Sequence, residues 1–264
     1  MSRARRTRRS NLGAALALAS GLIGVAIAIV SLEGSAGPSS AEPRLPPPPR
    51  AAFAPKNVPL GPRPVVLWAP VRKEVSAHAS PGQSEVVGDI PRRTPEGTTN
   101  IVLVLGQATR VAARLWVRVR FAGMPDDVRG WVPRASLGGY TPVRTRLVVD
   151  RTRLTATLLR GRRTVLRARV GVGTAATPTP GGHFYVRNQL RRYRSPFYGP
   201  IAFGTTARST GVTDWPAGGF VGIHGTDRPE LLPGRVSYGC IRLANRDIVR
   251  LARLMPIGTP LTVR

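Results

Sequence analysis

A histidine and a cysteine sixteen residues apart stand in two stretches rich in small residues, Gly222-Ile223-His224-Gly225-Thr226 and Ser237-Tyr238-Gly239-Cys240-Ile241-Arg242-Leu243-Ala244-Asn245. A thiol with an unperturbed pKa of about 8.5 is mostly protonated at neutral pH, and a neighbouring imidazole can take its proton and leave a nucleophilic thiolate. The imidazole then needs an orienting partner on its other nitrogen. The Gly225 carbonyl or, alternatively, Asp227 supplies one. A tetrahedral acyl intermediate needs N–H donors aimed at its oxyanion, and the amides of Tyr238, Gly239 and Cys240 in a tight turn are the candidates. Gly239 also lets backbone and substrate approach closely. Arg242, two residues past the nucleophile, falls on the same face of a strand. There its guanidinium suits a substrate carboxylate, or else an ion pair with Asp247. Ser237 bonds either the turn backbone or the substrate. The set is one for acyl transfer through cysteine.

Other cysteine and metal chemistries fit less well. Cys240 is the only cysteine, so no intramolecular disulfide forms, and a lone thiol in an exported chain risks oxidation unless it is used or deeply buried. All three histidines, His78, His183 and His224, precede Cys240, whereas papain-like and NlpC-type peptidases place the cysteine first. Sortases run His, Cys, Arg, but with the arginine well beyond the cysteine and after a Thr-Leu-x-Thr-Cys run absent here. One cysteine and one well-placed histidine fall short of the three or four ligands of a zinc site.

These residues must be positioned by strands. Gly and Pro number 29 and 26 among 264 residues, which favours short strands and turns over long helices. In the C-terminal part, Arg146–Asp150 and Leu154–Leu159 read as strands. Arg160-Gly161-Arg162 is placed as a hairpin turn, and Thr164–Val170 as the partner strand. Thr226 to Val236, with Pro229, Pro233 and Gly234, reads as a loop joining the two strand ends that carry His224 and Cys240. Ile248, Leu251, Ala252 and Met255 repeat at helical spacing, with Asn245 as candidate N-cap and Pro256 and Gly258 as the stop. Leu261-Thr262-Val263 returns as a last strand. Upstream, Val65–Trp68, Ile101–Leu105 and Leu115–Phe121 read as strands of a small β domain closed by Gly130-Trp131-Val132-Pro133. His78 is placed on its surface, and His183 has no assigned role.

The N-terminus reads as an export segment. Five arginines between Arg3 and Arg9 precede an apolar run from Leu12 to Leu32, which is near the ~20 residues needed to span a bilayer. It is read as a membrane anchor, with a cleavable signal as the alternative because Ser39-Ser40-Ala41 follows. Glu33 to Pro64 is a proline-rich, semi-rigid spacer. The expected organisation is 1–32 anchor or signal, 33–64 linker, 65–139 small β domain and 142–264 catalytic domain. The formal charge is +27, and all but Lys56 and Lys73 of the 40 cations are arginines. Such a field attracts polyanions. The arginines are scattered rather than clustered, however, and no recognition motif for nucleic acid accompanies them.

The spaced motifs resemble one family. His224-Gly225-Thr226, then Ser237-x-Gly239-Cys240-Ile241-Arg242-Leu243-x-Asn245-x-Asp247-Ile248, is similar to the signature of L,D-transpeptidase (YkuD) catalytic domains. Gly171-Val172-Gly173-Thr174, Pro178-Thr179-Pro180-x-Gly182-x-Phe184, Tyr198-Gly199-Pro200 and Gly258-Thr259-Pro260-Leu261 fit the same pattern, which covers about Arg144 to Arg264. The resemblance implies a mainly β catalytic domain with one C-terminal helix. It implies Cys240 as nucleophile, His224 as base and peptidoglycan tetrapeptide stems as donors, attacked before the terminal D-alanine and passed to an amine acceptor. It also implies reaction with carbapenems at the same cysteine, no metal or organic cofactor, and an extracytoplasmic location in the cell envelope. Tyr198 is placed along the donor cleft. The family usually has a second histidine where this chain has Tyr238; a phenol can supply a hydrogen bond there but not the charge of an imidazolium. Trp116-Val117-Arg118-Val119-Arg120 with Gly130-Trp131-Val132-Pro133 resembles bacterial Src-homology-3-like wall-associated domains. The alternatives are a catalytically impaired YkuD-like wall-binding protein and a scaffold for anionic polymers.

Overall fold

The computed structural model describes residues 58–59, 65–123, 128–191, 193, 196–209, 211–212 and 218–264. The apolar run from Leu12 to Leu32 and all of the spacer except 58–59 lie outside the described residues. Among the described residues no helix is long and apolar enough to cross a membrane.

The chain is mainly β, as its turn-rich composition predicts. One sheet contains β1 (Val58–Pro59), β2 (Val66–Pro70), β3 (Val75–His78), β4 (Val86–Ile90), β5 (Ile101–Val111), β6 (Arg114–Phe121), β7 (Val128–Pro133) and β8 (Thr141–Val143). Its spatial order is β4-β3-β7-β6-β5-β2-β8, with β1 on β5. Val117, Val119 and Phe121 alternate along β6 into a core with Ala69, Val102 and Val132. Two boundaries differ from the sequence reading. Residues 58–59 of the proline-rich spacer form the strand β1, in which Val58 and Pro59 pair with Ala108 and Gln107. Residues 141–143, of which 142–143 were assigned to the catalytic domain, instead pair with β2. His78 is half-buried rather than on the surface, its ring edge-on to Trp116 at 5.4 Å.

The second sheet contains β9 (Thr145–Asp150), β10 (Thr155–Arg160), β11 (Arg163–Gly173), β12 (Gly182–Arg191), β13 (Ile201–Arg208), β14 (Phe220–His224), β15 (Gly234–Ser237), β16 (Ile241–Leu243) and β17 (Pro260–Val263). Its order is β10-β9-β17-β12-β13-β14-β16-β11-β15, and an additional β10–β11 pairing closes it into a ring. Closure leaves β15 as an outrigger on β11 and removes free edges elsewhere. The hairpin at Gly161 is the one expected, with Arg160 paired to Arg163. The single α-helix of the described residues, α1 (Asn245–Leu254), buries Ile248 and Leu251 on one face against the core that holds Leu147, Leu158, Val170 and Ile241. Its amphipathic spacing and its end before Pro256 follow the sequence.

The two sheets are tied by buried polar groups. Glu96, on the segment between β4 and β5, pairs with Arg187 of β12; their side chains are 0% and 2% exposed. Asn188 donates to Glu96 Oε2 at 2.9 Å and to Thr98 Oγ1 at 3.1 Å, and its Oδ1 accepts the Gly204 amide at 2.8 Å. Burial pushes the Arg187 guanidinium down from its usual range, and the Glu96 carboxylate counters that. The guanidinium lies 3.9 Å from the centre of the Phe220 ring. The Tyr185 hydroxyl, fully buried and raised by burial, donates to the Ile101 carbonyl at 3.0 Å. Arg120 donates to the His183 carbonyl.

Candidate active site

Strand β14 is buried at all five positions and ends on His224. β16 lies beside it in parallel, with Ile223 opposite Ile241 and His224 opposite Arg242. The intervening segment, which also provides β15, supplies the crossover that parallel pairing demands. Cys240 stands immediately before β16, so its thiol lands beside β14, and the Gly222 amide donates to Cys240 Sγ at 3.3 Å. An N–H aimed at sulfur favours the thiolate over the thiol. Cys240 is 8% exposed and His224 0%, so both residues are buried.

The imidazole is held from several sides. His224 Nδ1 lies 2.6 Å from the Gly225 carbonyl oxygen. A carbonyl only accepts, so Nδ1 carries the hydrogen and the neutral ring keeps its lone pair on Nε2, the arrangement of a base. It is the Gly225 carbonyl rather than Asp227 that meets Nδ1. The Tyr198 ring meets the imidazole edge-on at 4.9 Å, and Phe197 lies at 5.8 Å. Asn245 departs from its expected role. It is the first residue of α1 and caps nothing, the N-cap position being Ala244 without a side-chain bond. Asn245 Oδ1 instead accepts the Thr226 amide at 2.9 Å, and a Cβ on Gly225 or Gly199 would collide with that same oxygen. The helix N-terminus thus clamps the strand end that carries His224. Asn245→Ala is expected to lower stability by about 1–3 kcal/mol, because it leaves the Thr226 amide without its partner. Asn245→Asp, which keeps the acceptor, should lose less; thermal melts of both variants check this.

The turn holding Cys240 is pinned by hydroxyls. Ser237 Oγ donates to the Cys240 carbonyl at 2.6 Å and accepts the Gly239 amide at 3.2 Å. Of the three amides expected to form an oxyanion site, that of Gly239 thus bonds within the turn. These bonds also place Ser237, 3% exposed, as a backbone brace. Gly239 has φ +123, and a Cβ there would come 2.8 Å from Ser209 Oγ. Only glycine is comfortable in that conformation.

His224, Cys240, Arg242, Ser237, Tyr238 and Tyr198, all selected from the sequence, line one cleft, which Phe197 and Val212 complete. Arg242 is buried, and its guanidinium sits 4.3 Å over the Phe197 ring, a cation–π contact that fixes its plane. Asp247 pairs with Arg246 and Arg250, at 3.4 and 3.9 Å. Arg242 contributes a positively charged group to the cleft lining. Phe197 was missed from the sequence, although it adjoins the Tyr198-Gly199-Pro200 run. Tyr238 is 68% exposed at the mouth. His183 lies elsewhere, on β12, with Nδ1 3.3 Å from Thr262 Oγ1. Among the described residues no cluster of three or more His, Cys, Asp or Glu is placed to hold a metal ion.

Residues 144–263 match the family model of the L,D-transpeptidase catalytic domain, YkuD. By sequence, this stretch is similar to the YkuD family. The chain is 35% identical over 109 residues to L,D-transpeptidase YkuD of Bacillus subtilis, a match that covers 41% of this chain and 59% of that protein. It is 34% identical over 94 residues to the protein of the same name from Bacillus licheniformis, covering 36% and 50%. The chain thus spans about half to three fifths of the length of these two relatives. Among solved structures, the catalytic domain of an Enterococcus faecium L,D-transpeptidase is similar at 26% identity and a TM-score of 0.37, over 46% of this chain and 96% of that one. An L,D-transpeptidase in complex with imipenem is similar at 18% identity and a TM-score of 0.37, over 58% and 92%.

Proposed function

We propose that the protein is a peptidoglycan L,D-transpeptidase with Cys240 as its nucleophile. The observation that carries this reading is the convergence, in one cleft of a YkuD-family domain, of the Cys240 thiol and an imidazole whose Nδ1 is tied to the Gly225 carbonyl. His224 takes the thiol proton. The sulfur attacks the carbonyl that precedes the terminal D-alanine of a tetrapeptide stem, and the amides of Tyr238 and Cys240 receive the oxyanion. The C–N bond to D-alanine breaks, and its amine leaves with the proton held by His224. An acceptor amine then attacks the thioester, gives its proton to His224 and releases the thiolate. Arg242 holds a substrate carboxylate, supported by its place in the cleft lining with Cys240 and His224. Tyr198 packs behind the base and along the donor.

A carbapenem carbonyl presents the same electrophile to the same sulfur, so acylation of Cys240 by carbapenems belongs to this reading. The site of action is extracytoplasmic, in the cell envelope. The run from Leu12 to Leu32 acts as anchor or signal, the spacer holds the folded part away from the membrane, and residues 65–139 form a Src-homology-3-like module that contacts wall polymer. A second reading, a catalytically impaired wall-binding protein, draws on Tyr238 standing exposed where the family usually has histidine.

Incubation with disaccharide-tetrapeptide, read by mass spectrometry beside Cys240→Ala, separates the two. Loss of D-alanine with a cross-linked dimer, absent in Cys240→Ala, is the expected result. Absence of turnover in the folded wild-type chain would favour the wall-binding protein.

A further inference from the structure

Threonines two apart in Thr177-Pro178-Thr179-Pro180 each precede a proline, which biases both toward extended backbone. Their hydroxyls meet carbonyls that are also two apart in the nucleophile turn. Thr177 Oγ1 donates to the Ser237 carbonyl at 3.3 Å, and Thr179 Oγ1 donates to the Gly239 carbonyl at 2.8 Å. Thr179 is 1% exposed, and the same hydroxyl accepts the Gly173 amide at 2.9 Å. It therefore bridges the end of β11 to the peptide bond immediately before Cys240. The flanking prolines restrict the backbone from which it reaches.

That peptide bond is the one most in need of fixing. In a trans peptide the C=O and the N–H point in opposite directions, so the direction of the Gly239 carbonyl sets the direction of the Cys240 amide. Glycine at 239 makes rotation of this unit cheap. A half-turn would present a carbonyl where an oxyanion needs a donor, replacing attraction by repulsion. Ser237 holds the preceding amide and the following carbonyl, but neither bond touches the Gly239 carbonyl.

We infer that Thr179 is a positioning residue that acts through the Gly239–Cys240 peptide to aim the Cys240 amide at the oxyanion. The inference rests on the acyl-transfer reading of Cys240. The residue touches neither sulfur nor substrate, and it affects only steps that build negative charge on a carbonyl oxygen. Alkylation of the thiolate by iodoacetamide builds no such charge, so Thr179 has no part in it.

The test uses the full chain in detergent micelles, as wild type, Thr179→Val and Thr179→Ser. Two rates are measured on each: carbamidomethylation of Cys240 by iodoacetamide, and acylation of Cys240 by a tetrapeptide donor, both followed by intact mass. The expected result for Thr179→Val is acylation slowed by about 100-fold, the scale of losing one oxyanion donor, with alkylation near the wild-type rate. Thr179→Ser, which keeps the hydroxyl, restores acylation. Equal slowing of both rates in Thr179→Val would assign Thr179 a purely structural role and overturn the inference, as would unchanged acylation. A wild-type chain that alkylates normally but is never acylated would overturn the acyl-transfer reading itself, and this inference with it.

Discussion

His224→Gln is expected to slow acylation of Cys240 by about 100- to 10,000-fold, the range contributed by a positioned general base. Glutamine approximates the size of the ring and can still hydrogen-bond, so the loss isolates proton transfer. The geometry makes the effect large because His224 has one arrangement available. Its Nδ1 hydrogen is committed to the Gly225 carbonyl at 2.6 Å, Tyr198 and Phe197 fix the ring plane, and Asn245 holds the backbone just beyond it. Alkylation by iodoacetamide should also slow at neutral pH, because the imidazole is what removes the thiol proton. This distinguishes His224→Gln from Thr179→Val, which is expected to leave alkylation intact. Raising the pH until the free thiol ionises should restore alkylation of His224→Gln but not its turnover. Rates of both reactions between neutral and alkaline pH check the prediction.

Glu96→Gln is expected to lower stability by about 3–5 kcal/mol, the cost of leaving one member of a buried pair uncompensated. Both side chains are essentially inaccessible, so solvent screening does not soften the loss. In a folded unit of this size it corresponds to a fall of about 10 °C in the melting midpoint. The consequence reaches the site, because the Arg187 guanidinium packs on Phe220, the first residue of the strand that ends at His224. Replacing the pair together, as Glu96→Leu with Arg187→Met, should recover much of the stability, since well-packed apolar residues often match a buried ion pair. Thermal melts of the single and double variants decide it. A single variant that melts with the wild type would show that the pair does not join the two sheets energetically.

The grouping of the candidate site was more legible in the sequence than the way it is braced. His224, Cys240 and Arg242 stand out because thiol, imidazole and guanidinium have few substitutes, and the fold brings them to adjacent strand ends in one cleft. The helix and the Gly161 hairpin were readable because amphipathic period and turn chemistry are local signals. The bracing groups are not local. Asn245 looked like a helix cap because asparagine before an amphipathic run usually is one. Its partner, the Thr226 amide, is nineteen residues away in sequence. Ser237 left two roles open because the sequence does not show whether a hydroxyl faces its own turn or the cleft. The expected oxyanion set included Gly239, since nothing in the sequence reveals that its amide is already taken by Ser237. The link between the sheets, Glu96 with Arg187, joins residues ninety-one apart. Among so many arginines, one buried member carries no distinguishing mark.

The most direct test of Cys240 as an acyl carrier is intact-mass analysis of the full chain during reaction with a tetrapeptide donor, followed by mapping of the adduct. A thioester carrying the donor without its D-alanine, located on the peptide that contains Cys240 and removed by hydroxylamine, is the predicted result. A folded chain whose Cys240 alkylates readily, yet which neither gains that adduct nor releases D-alanine, would contradict it.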